Sequence, residues 1–266
     1  MASSDLKSGA RWYVHPPSSA DARILLFCFP YAGGGTWIFR EWVNQLAPEI
    51  AVCAVKLPAR GDRFREVPAR NMRELARAIA EAMPRPLPRP FAVFGHSMGA
   101  LLAFEFVREM TAVQAQEPRR LIVSSAPAPS RVSIREPIHA LPDEQFLRAV
   151  QEKYGHPCLR SADPEVIELL LPTLRADLEM YETYASRPGE RLACPISVFV
   201  GRDDPLARTD LQAWADHTQG PTRLREFAGG HFYLHESEET AVREIRRLLL
   251  EDSAEREDES RRPTAS

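Results

Sequence analysis

Short apolar runs recur along this sequence, and within most of them apolar residues follow one another instead of alternating with polar ones. That pattern is typical of strands that are buried on both faces of a parallel sheet. The runs are ILLFCF (Ile24–Phe29), AVCAVKL (Ala51–Leu57), FAVFG (Phe91–Gly95), LIVSSA (Leu121–Ala126) and ISVFVG (Ile196–Gly201). Between them, segments such as NMRELARAIAEAM and GALLAFEFVREM place apolar residues at helical spacing. The alternation predicts an α/β fold with a mostly parallel central sheet flanked by helices.

The alternation stops between residues 127 and 195, where the sequence offers helices but no strand. LPDEQFLRAVQEKYG and PEVIELLLPTLRADLEMYETYA both have helical periodicity. One face of the second segment carries, at that spacing, Leu170, Leu174, Leu178 and Tyr181. Pro172 is expected near a kink or a helix start. We predict a helical insertion that packs over the edge of the sheet. The alternative, that both helices belong to the ordinary flanking layer, stays open.

The length of 266 residues fits one sizeable globular domain. We predict that this domain covers residues 21–251, with the helical insertion at about 127–195, and that residues 1–20 form an N-terminal extension. The final stretch EDSAEREDESRRPTAS is charged and has no apolar residues other than alanine. Residues 252–266 are therefore predicted to be a disordered tail.

Charge and hydropathy argue against several classes of protein. The formal net charge is only −3, and the arginines are interleaved with acidic residues instead of massed in one block. No nucleic-acid-binding surface is predicted from this distribution. No apolar segment reaches the length of a signal-peptide core or of a membrane span, which predicts a cytoplasmic protein that does not bind a membrane.

The cysteines Cys28, Cys53, Cys158 and Cys194 are far apart and lie mostly in apolar segments. Neither a metal knuckle of the CxxC type nor a disulfide framework fits this spacing. We therefore expect buried free thiols and no metal site.

The junction at Ser97 carries the strongest chemical signal. GHSMG matches the pattern GxSxG, with an apolar strand before it and a segment of helical periodicity after it. A serine at such a sharp turn needs small residues on both sides, and Gly95 and Gly99 supply them. The turn lifts the hydroxyl to the carboxyl ends of the strands, where ligands bind in open α/β sheets. Ser97 is therefore the predicted nucleophile.

A serine hydroxyl needs a base, and the base needs an acid that holds it in place. In hydrolases with this turn, the acid and then the histidine follow the serine along the chain. REFAGGHFYL places His231 after a Gly-Gly turn, and ISVFVGRDDP ends a strand at Asp203 and Asp204. His231 is the predicted base. Asp204 is preferred as the acid, although spacing alone does not exclude Asp203.

Each of three other histidines is a weaker candidate for the base. His235 lies one helical turn after the predicted base, among acidic residues, and is expected to face solvent. His217 lies in a segment with the pattern of a polar helix. His96 is adjacent to the nucleophile but is expected to point away from it once the turn has formed.

The oxyanion of an acyl-transfer reaction needs two hydrogen-bond donors. The backbone N–H of Met98, the residue after the nucleophile, is the first predicted donor. The second normally comes from a loop after an early strand, and FCFPYAGGGTW runs from the first strand into three consecutive glycines. Glycine lets the main chain approach a substrate oxygen closely, and the N–H of Ala32 is the second predicted donor. A flexible glycine connector is the alternative interpretation.

Six segments, taken together, resemble one protein family. FPYAGGG, LPARGDRF, GHSMGA, LPDEQF, LLLPTLRAD and GGHFYL occur in this order between about Ile24 and Leu249. In this they are similar to the type II thioesterases that accompany polyketide and nonribosomal peptide synthases. GHSMGA is common among hydrolases, whereas LPARGDRF and LLLPTLRAD are much more specific. The resemblance implies the α/β-hydrolase fold and the same site residues that were predicted above, with the helical insertion acting as a lid.

The resemblance also implies a substrate, which composition and periodicity do not. Such enzymes hydrolyse acyl groups held as thioesters on the phosphopantetheine arm of acyl or peptidyl carrier proteins, and they restore stalled synthases in antibiotic biosynthesis. No metal or organic cofactor is expected. Arg60, Arg63 and Arg65 follow the second strand. They are expected in a solvated polar loop, with contact to an acidic carrier protein as the alternative.

Two other functions stay open at this point. A carboxylesterase, lipase or acyltransferase uses the same triad on an oxygen ester or with another acceptor, because acyl-enzyme chemistry is common to all of them. The second alternative is a hydrolase fold that binds a ligand or a carrier protein without catalysis. The presence of serine, acid, histidine and glycine loop in the expected order argues against it.

Overall fold

A parallel six-stranded sheet forms the centre of the computed structural model, which describes residues 11–14, 22–133, 136–159 and 163–261. The strand order is β2-β1-β3-β4-β5-β6, and every neighbouring pair is parallel. The strands are β1 (Ile24–Phe29), β2 (Ile50–Ala54), β3 (Phe91–His96), β4 (Leu121–Ser124), β5 (Ile196–Gly201) and β6 (Thr222–Phe227). All five predicted apolar runs are strands, although β2 and β4 end earlier than predicted.

Helices connect the strands and cover both faces of the sheet. The α-helices of the described ranges are α1 (Arg40–Leu46), α2 (Met72–Glu81), α3 (Met98–Gln114), α4 (Asp143–Tyr154), α5 (Pro164–Glu182), α6 (Arg208–Gln212) and α7 (Glu238–Arg261). Among the residues that were described, no helix is long and apolar enough to cross a membrane.

The sheet is buried on both faces because successive residues of a strand point to opposite sides. In β1, Phe27 and Phe29 belong to the apolar cluster on one face, together with residues of α2 and α3. Leu26 and Cys28 belong to the cluster on the other face, together with residues of α1 and α7. The continuous apolar runs therefore reflect a sheet enclosed between two helical layers.

Three of the four cysteines are described with their side chains, and all three are buried free thiols, as predicted. Burial raises the pKa of the Cys53 and Cys194 thiols to about 12, and it raises the pKa of Cys28 well above its ordinary value. The side chain of Cys158 lies outside the described residues. The described thiols therefore stay protonated at neutral pH and belong to the core.

Strand β6 is not among the predicted strands. Its sequence TRLREF alternates half-buried and exposed residues at first and carries charges at Arg223, Arg225 and Glu226. The strand lies at the edge of the sheet and pairs only with β5. Charged side chains are one way in which natural edge strands avoid pairing with another chain. The continuous apolar signal is absent because these three charged residues are exposed, unlike the residues of β2 at the opposite edge, which are all buried.

Between β4 and β5 the described residues form two helices and no strand, as predicted. Asp163 caps α5 by accepting a hydrogen bond from the N–H of Glu165 (3.0 Å). Pro172 lies inside α5 and not at its start. One residue further on, the Thr173 hydroxyl donates to the carbonyl oxygen of Ala59 (2.9 Å). The insertion is therefore anchored to the loop that follows β2.

Helix α7 differs from the prediction at the C-terminal end of the chain. It continues to Arg261, so residues 252–261 are helical where a disordered tail was predicted. The sequence of residues 252–261 offers no apolar face for packing. Extending a helix that already exists, however, requires no new nucleation. Glutamate and arginine, which make up five of these ten residues, also have good helix propensity. Residues 262–266 of the predicted tail lie outside the described residues.

Part of the predicted N-terminal extension belongs to the core. Tyr13 is 4% exposed and forms an antiparallel bridge with Val55, next to the end of β2. Its ring lies edge-on to that of Phe27, with the ring centroids 5.4 Å apart. Within the extension, the structure describes residues 11–14, and residues 1–10 and 15–20 lie outside the described residues.

Candidate active site

Strand β3 ends at a sharp turn that holds Ser97. The backbone angles of Ser97 are φ 55° and ψ −122°, in a region that residues other than glycine rarely occupy. A Cβ atom on Gly95 would lie 2.1 Å from the carbonyl oxygen of Gly99, and one on Gly99 would lie 2.4 Å from that of Pro30. Because these obstacles are backbone atoms, glycine is required at both positions. The two glycines let the strand and helix meet closely enough to expose the serine.

Three of the predicted residues meet at this turn. His231 Nε2 lies 3.0 Å from Ser97 Oγ, and His231 Nδ1 lies 3.0 Å from Asp204 Oδ2. A carboxylate accepts hydrogen bonds and does not donate them, so Nδ1 carries the ring proton and Nε2 accepts from the Ser97 hydroxyl. The side chain of Asp204 is fully buried. This arrangement can remove the serine proton and stabilise the resulting imidazolium.

The loops after β5 and β6 decide which aspartate faces His231. A Cβ on Gly201 would lie 2.2 Å from the carbonyl oxygen of Gly230, so the loop before His231 packs directly on the end of β5. Asp203 is exposed, and its backbone N–H donates to the carbonyl of Gly229 (3.0 Å). The structure therefore places the preferred Asp204 beside the histidine and leaves Asp203 at the surface.

The other histidines considered as bases lie elsewhere. His96 Nδ1 lies 2.9 Å from Ser124 Oγ, which is in turn 2.8 Å from the Tyr233 hydroxyl. Burial lowers the pKa of His96 well below its ordinary value, so the ring is neutral. His235 is exposed, as predicted. His217 lies in a short 3₁₀ turn instead of the predicted polar helix.

Both predicted oxyanion donors, Ala32 and Met98, line the same cavity as Ser97 and His231. Met98 is the first residue of α3, where a backbone N–H has no partner within the helix. The N-terminal end of a helix also carries a partial positive charge. That end of α3 therefore favours negative charge beside the serine.

A tight turn brings Ala32 to this position. The N–H of Gly34 donates to the carbonyl oxygen of Tyr31 (2.9 Å), with Ala32 and Gly33 at the centre of the turn. Gly33 has φ 72°, which favours glycine at that position. The glycine segment is thus a turn with a defined hydrogen bond, and the alternative of a flexible connector is not supported.

The insertion supplies an apolar wall to the cavity beside the serine. The cavity has about 350 Å³ of space not filled by protein atoms, part of it open to solvent. Helices α4 and α5 line it with Val150, Tyr154, Leu174, Leu178 and Tyr181. The wall is chemically suited to an apolar chain, although only about 20 Å³ of the space beside it can hold the centre of a water molecule.

A second, more polar groove also borders Ser97 and His231. It has about 790 Å³ of unfilled space, part of it open solvent, and its lining includes Arg131, Lys153 and Asp210. The serine therefore lies where an apolar cavity meets a polar groove.

The loop after β2 differs from the expected solvated loop. Arg60 and Arg63 are 8% and 6% exposed, and only Arg65 of the three arginines is exposed to solvent. Arg60 forms an ion pair with Asp177, and Arg63 forms one with Glu66. Neither buried arginine is available to an acidic carrier protein. The sequence did not indicate the first pair because its members are 117 positions apart.

One residue at the site was missed by sequence reasoning. His156 lines the cavity, and its Nε2 lies 2.9 Å from the carbonyl oxygen of Ala32. It stands between Gly155 and Pro157 after α4, in a context that is equally typical of an ordinary loop residue. No motif in the sequence distinguishes a histidine of the site from an ordinary loop histidine at this position.

Fold and site together define a class of protein. A parallel sheet carries a serine at the turn from β3 into α3, and an acid and a histidine follow it in chain order on the loops after β5 and β6. These are the features of a serine hydrolase of the α/β-hydrolase type.

Comparison with known proteins agrees with this class. The family model of the thioesterase domain matches residues 25–249. The gramicidin S biosynthesis protein GrsT from Aneurinibacillus migulanus is 37% identical over 228 residues, which are 85% of this chain and 89% of that protein. Thioesterase PikA5 from Streptomyces venezuelae is 36% identical over 239 residues, which are 89% of this chain and 84% of that protein.

A solved structure extends the similarity to three dimensions. BorB, the type II thioesterase from the borrelidin biosynthetic cluster, has a TM-score of 0.80 and 35% identity, covering 90% of this chain and 96% of its own. The chain belongs to the thioesterase family, its fold is the α/β-hydrolase fold, and it is a hydrolase that acts on thioesters.

Proposed function

We propose that this thioesterase hydrolyses acyl groups from the phosphopantetheine arm of acyl or peptidyl carrier proteins, and that it removes stalled acyl groups in polyketide or nonribosomal peptide biosynthesis. The observation that carries the proposal is the hydrogen-bonded chain Ser97–His231–Asp204 at the wall of an apolar cavity. The names of relatives such as BorB and GrsT, which place them in biosynthetic clusters or pathways, support the substrate class.

In the first stage of the proposed mechanism, Ser97 is the nucleophile. His231 Nε2 takes the hydroxyl proton as Ser97 Oγ attacks the thioester carbonyl, and Asp204 stabilises the imidazolium that forms. The N–H groups of Ala32 and Met98 hold the tetrahedral oxyanion. The carbon–sulfur bond then breaks, and His231 gives its proton to the departing thiolate.

In the second stage water replaces the thiol. His231 takes a proton from the water as it attacks the acyl-serine carbonyl, and the same oxyanion donors stabilise the second tetrahedral intermediate. The bond to Ser97 Oγ breaks, the serine recovers its proton from His231, and the free acid leaves. Every proton and electron pair in this sequence is supplied by the triad, the substrate and water, so the mechanism calls for no cofactor.

The two cavities give the substrate an orientation. The acyl chain is attached to the carbonyl carbon of the thioester and the pantetheine arm to its sulfur, so the two leave the reaction centre in different directions. The apolar cavity under α4 and α5 suits the acyl chain, and the polar groove past Lys153 suits the amides of the arm. In this orientation the insertion acts as a lid over the acyl chain.

The test is the loss of the acyl group from a loaded acyl carrier protein, measured by intact-protein mass spectrometry. Wild type is expected to return the carrier to its free thiol faster than it cleaves a matched oxygen ester. Ser97→Ala is expected to be slower by about 10⁵-fold or more, because triad residues act as a unit. A Ser186→Ala control, at an exposed residue outside the site, should match wild type.

Two outcomes would contradict the proposal in different ways. If the carrier stays loaded while the oxygen ester is cleaved, the triad stands and the protein is a carboxylesterase. If a fluorophosphonate probe fails to label folded wild type, Ser97 is not an activated nucleophile and the fold serves binding alone.

A further inference from the structure

The glycine turn beside Ser97 is tied to the insertion by a buried ion pair. Arg60 Nη1 and Nη2 donate to Asp177 Oδ2 and Oδ1, each at 2.8 Å. Asp177 Oδ2 also accepts the N–H of Gly33 at 2.8 Å, and Arg60 Nη1 donates to the carbonyl oxygen of Gly34 at 2.9 Å. The Arg60 and Asp177 side chains are only 7% and 2% exposed. One charge pair therefore holds two consecutive residues of the turn.

His156 provides a third tie from the insertion to the same turn. The carbonyl oxygen of Ala32 accepts hydrogen bonds only, so His156 Nε2 carries a proton and donates to it. Burial lowers the pKa of His156, and the ring is therefore a neutral donor at physiological pH. The peptide group between Ala32 and Gly33 is thus bound at both its C=O and its N–H.

The orientation of that peptide group defines the form of the turn. Turns of types I and II differ mainly by rotation of their central peptide, and a positive φ at the third residue belongs to type II. Gly33, with φ 72°, has that positive angle. The peptide held by His156 and Asp177 is this central peptide. It directly follows the Ala32 N–H, so the bonds from the insertion limit how that N–H is presented to the substrate.

The negative charge of Asp177 requires a partner at this position. Asp177 lies one hydrogen bond from the turn that receives the oxyanion, and an unpaired buried carboxylate there would oppose negative charge on the substrate. The guanidinium of Arg60 compensates that charge in a two-pronged geometry that a lysine does not reproduce. The pair therefore holds the turn without adding a net negative charge beside it.

We propose that Arg60 and Asp177 are positioning residues of the oxyanion hole, which keep the Ala32–Gly33 turn in the form that presents the Ala32 N–H to the substrate. The inference rests on the proposed hydrolysis at Ser97. It gives a role to LPARGDRF and LLLPTLRAD, two of the family segments that the triad does not use, because each contributes one member of the pair. Since Asp177 belongs to α5, the insertion and the oxyanion hole are mechanically coupled.

The decisive variant replaces both charges at once, Arg60→Met together with Asp177→Leu. Removing one partner alone would leave a buried unpaired charge, whereas replacing both with apolar residues preserves packing and often preserves stability. We expect a folded protein with a lower Tm than wild type, because the buried N–H of Gly33 and carbonyl oxygen of Gly34 lose their partners. KM for the loaded carrier should stay within about threefold, and kcat should fall by about 10- to 100-fold, which is less than the effect of deleting an oxyanion donor outright.

A second readout separates positioning from structural support. A trifluoromethyl ketone analogue of the substrate forms a tetrahedral oxyanion adduct with the serine, so its affinity reports on the oxyanion hole. We expect the double variant to lose affinity for the ketone by the same factor as kcat/KM. Its affinity for a non-reactive thioether analogue should be unchanged.

The matched control is Arg63→Met with Glu66→Met, which removes another ion pair of the same loop. Arg63 bonds Glu66 and the carbonyl of Lys56, and neither of these is part of the glycine turn. We expect this control to keep wild-type kcat and wild-type ketone affinity, whatever its Tm.

Two results would overturn the inference. The first is a folded double variant that keeps wild-type kcat and ketone affinity. If the double variant does not fold, Arg60→Lys takes its place. An Arg60→Lys variant with wild-type kcat and wild-type ketone affinity would also refute the inference, because lysine cannot form the two parallel hydrogen bonds to Asp177. Failure of the proposed function looks different, because wild type itself would then leave the loaded carrier intact.

Discussion

Ser97 shows how a single residue can be placed by its neighbours instead of by its own preference. Its backbone conformation costs about 1–3 kcal/mol relative to an ordinary one. The strain persists because the Ser97 N–H is bound to the carbonyl of Ser124 (2.7 Å) and the chain on both sides is packed against backbone atoms. In return, the hydroxyl faces His231 and the cavity instead of the interior of the sheet.

The two adjacent aspartates allow a sharp test at the scale of one residue. Asp204→Asn should lower kcat by about 10³- to 10⁴-fold, because an amide can donate to His231 Nδ1 and favour the wrong tautomer. Asp203→Asn changes an exposed side chain and should leave kcat within about twofold of wild type. Steady-state hydrolysis of an acyl N-acetylcysteamine thioester measures both. The reverse order of effects would reassign the acid.

At the scale of elements, the buried face of α5 has two roles. Asp177 accepts a hydrogen bond from the glycine turn, and the buried Leu174 and Leu178 line the apolar cavity beside Ser97. The outer face carries Leu169, which is 55% exposed. One face of the helix thus contributes both to the wall of the cavity and to the hydrogen bonds of the glycine turn.

The apolar face of α5 should set the preference for acyl length. Leu178→Ala removes part of the cavity wall and should raise the ratio of kcat/KM for decanoyl over acetyl thioesters by about tenfold, in the range that a few methylene contacts provide. Leu169→Ala, on the exposed face of the same helix, is the control and should leave the ratio unchanged. An identical ratio in both variants would show that Leu178 does not contact the acyl chain.

At the scale of the whole molecule, burial keeps several histidines neutral. The pKa values of His96, His156 and His217 are all lowered from the ordinary 6.5, with burial as the main cause. In the unfolded chain each would titrate near its ordinary value. At acidic pH, these three histidines therefore bind fewer protons in the folded chain than in the unfolded chain.

The sign of the pH dependence follows from this difference. Below about pH 6.5 the unfolded chain binds more protons than the folded chain, so the free energy of unfolding falls as the pH decreases and levels off only at the folded pKa values. Tm should therefore decline between pH 7 and pH 5, as measured by scanning calorimetry. His96→Asn, which removes one titrating ring, should show a shallower decline. A wild-type Tm that stays constant over this range would contradict the assignment of buried neutral histidines.

Carboxylates change the free energy of unfolding in a lower range of pH. Ion pairing with Arg63 lowers the pKa of Glu66 to about 2, and bonds from Arg247 lower that of Glu244. Stability from these groups is present above their ordinary value of 4.5 and is lost as the pH falls below it. Measurements between pH 5 and 7 therefore report mainly on the histidines.

Much of the fold and of the site was predictable because its signals are local in sequence. The buried strands show continuous apolar runs, and the turn at Ser97 combines two glycines with a strand and a helix in a short stretch. The chain order of acid and histidine indicated His231 and the Asp203–Asp204 pair without any contact information. These features depend on residues that are close in sequence or on an order along the chain.

What the tertiary structure decided depends on contacts between distant segments. The choice of Asp204 over Asp203 follows from how the loop at Gly229–Gly230 packs on β5. The ion pair of Arg60 and Asp177 joins residues 117 positions apart, and burial of such a pair is invisible to local composition. The edge strand β6 lacks an apolar run because three of its six residues are exposed to solvent, which depends on what packs over the strand. The sequence alone thus determined which chemical groups are present and in what order, whereas packing determined which of them meet.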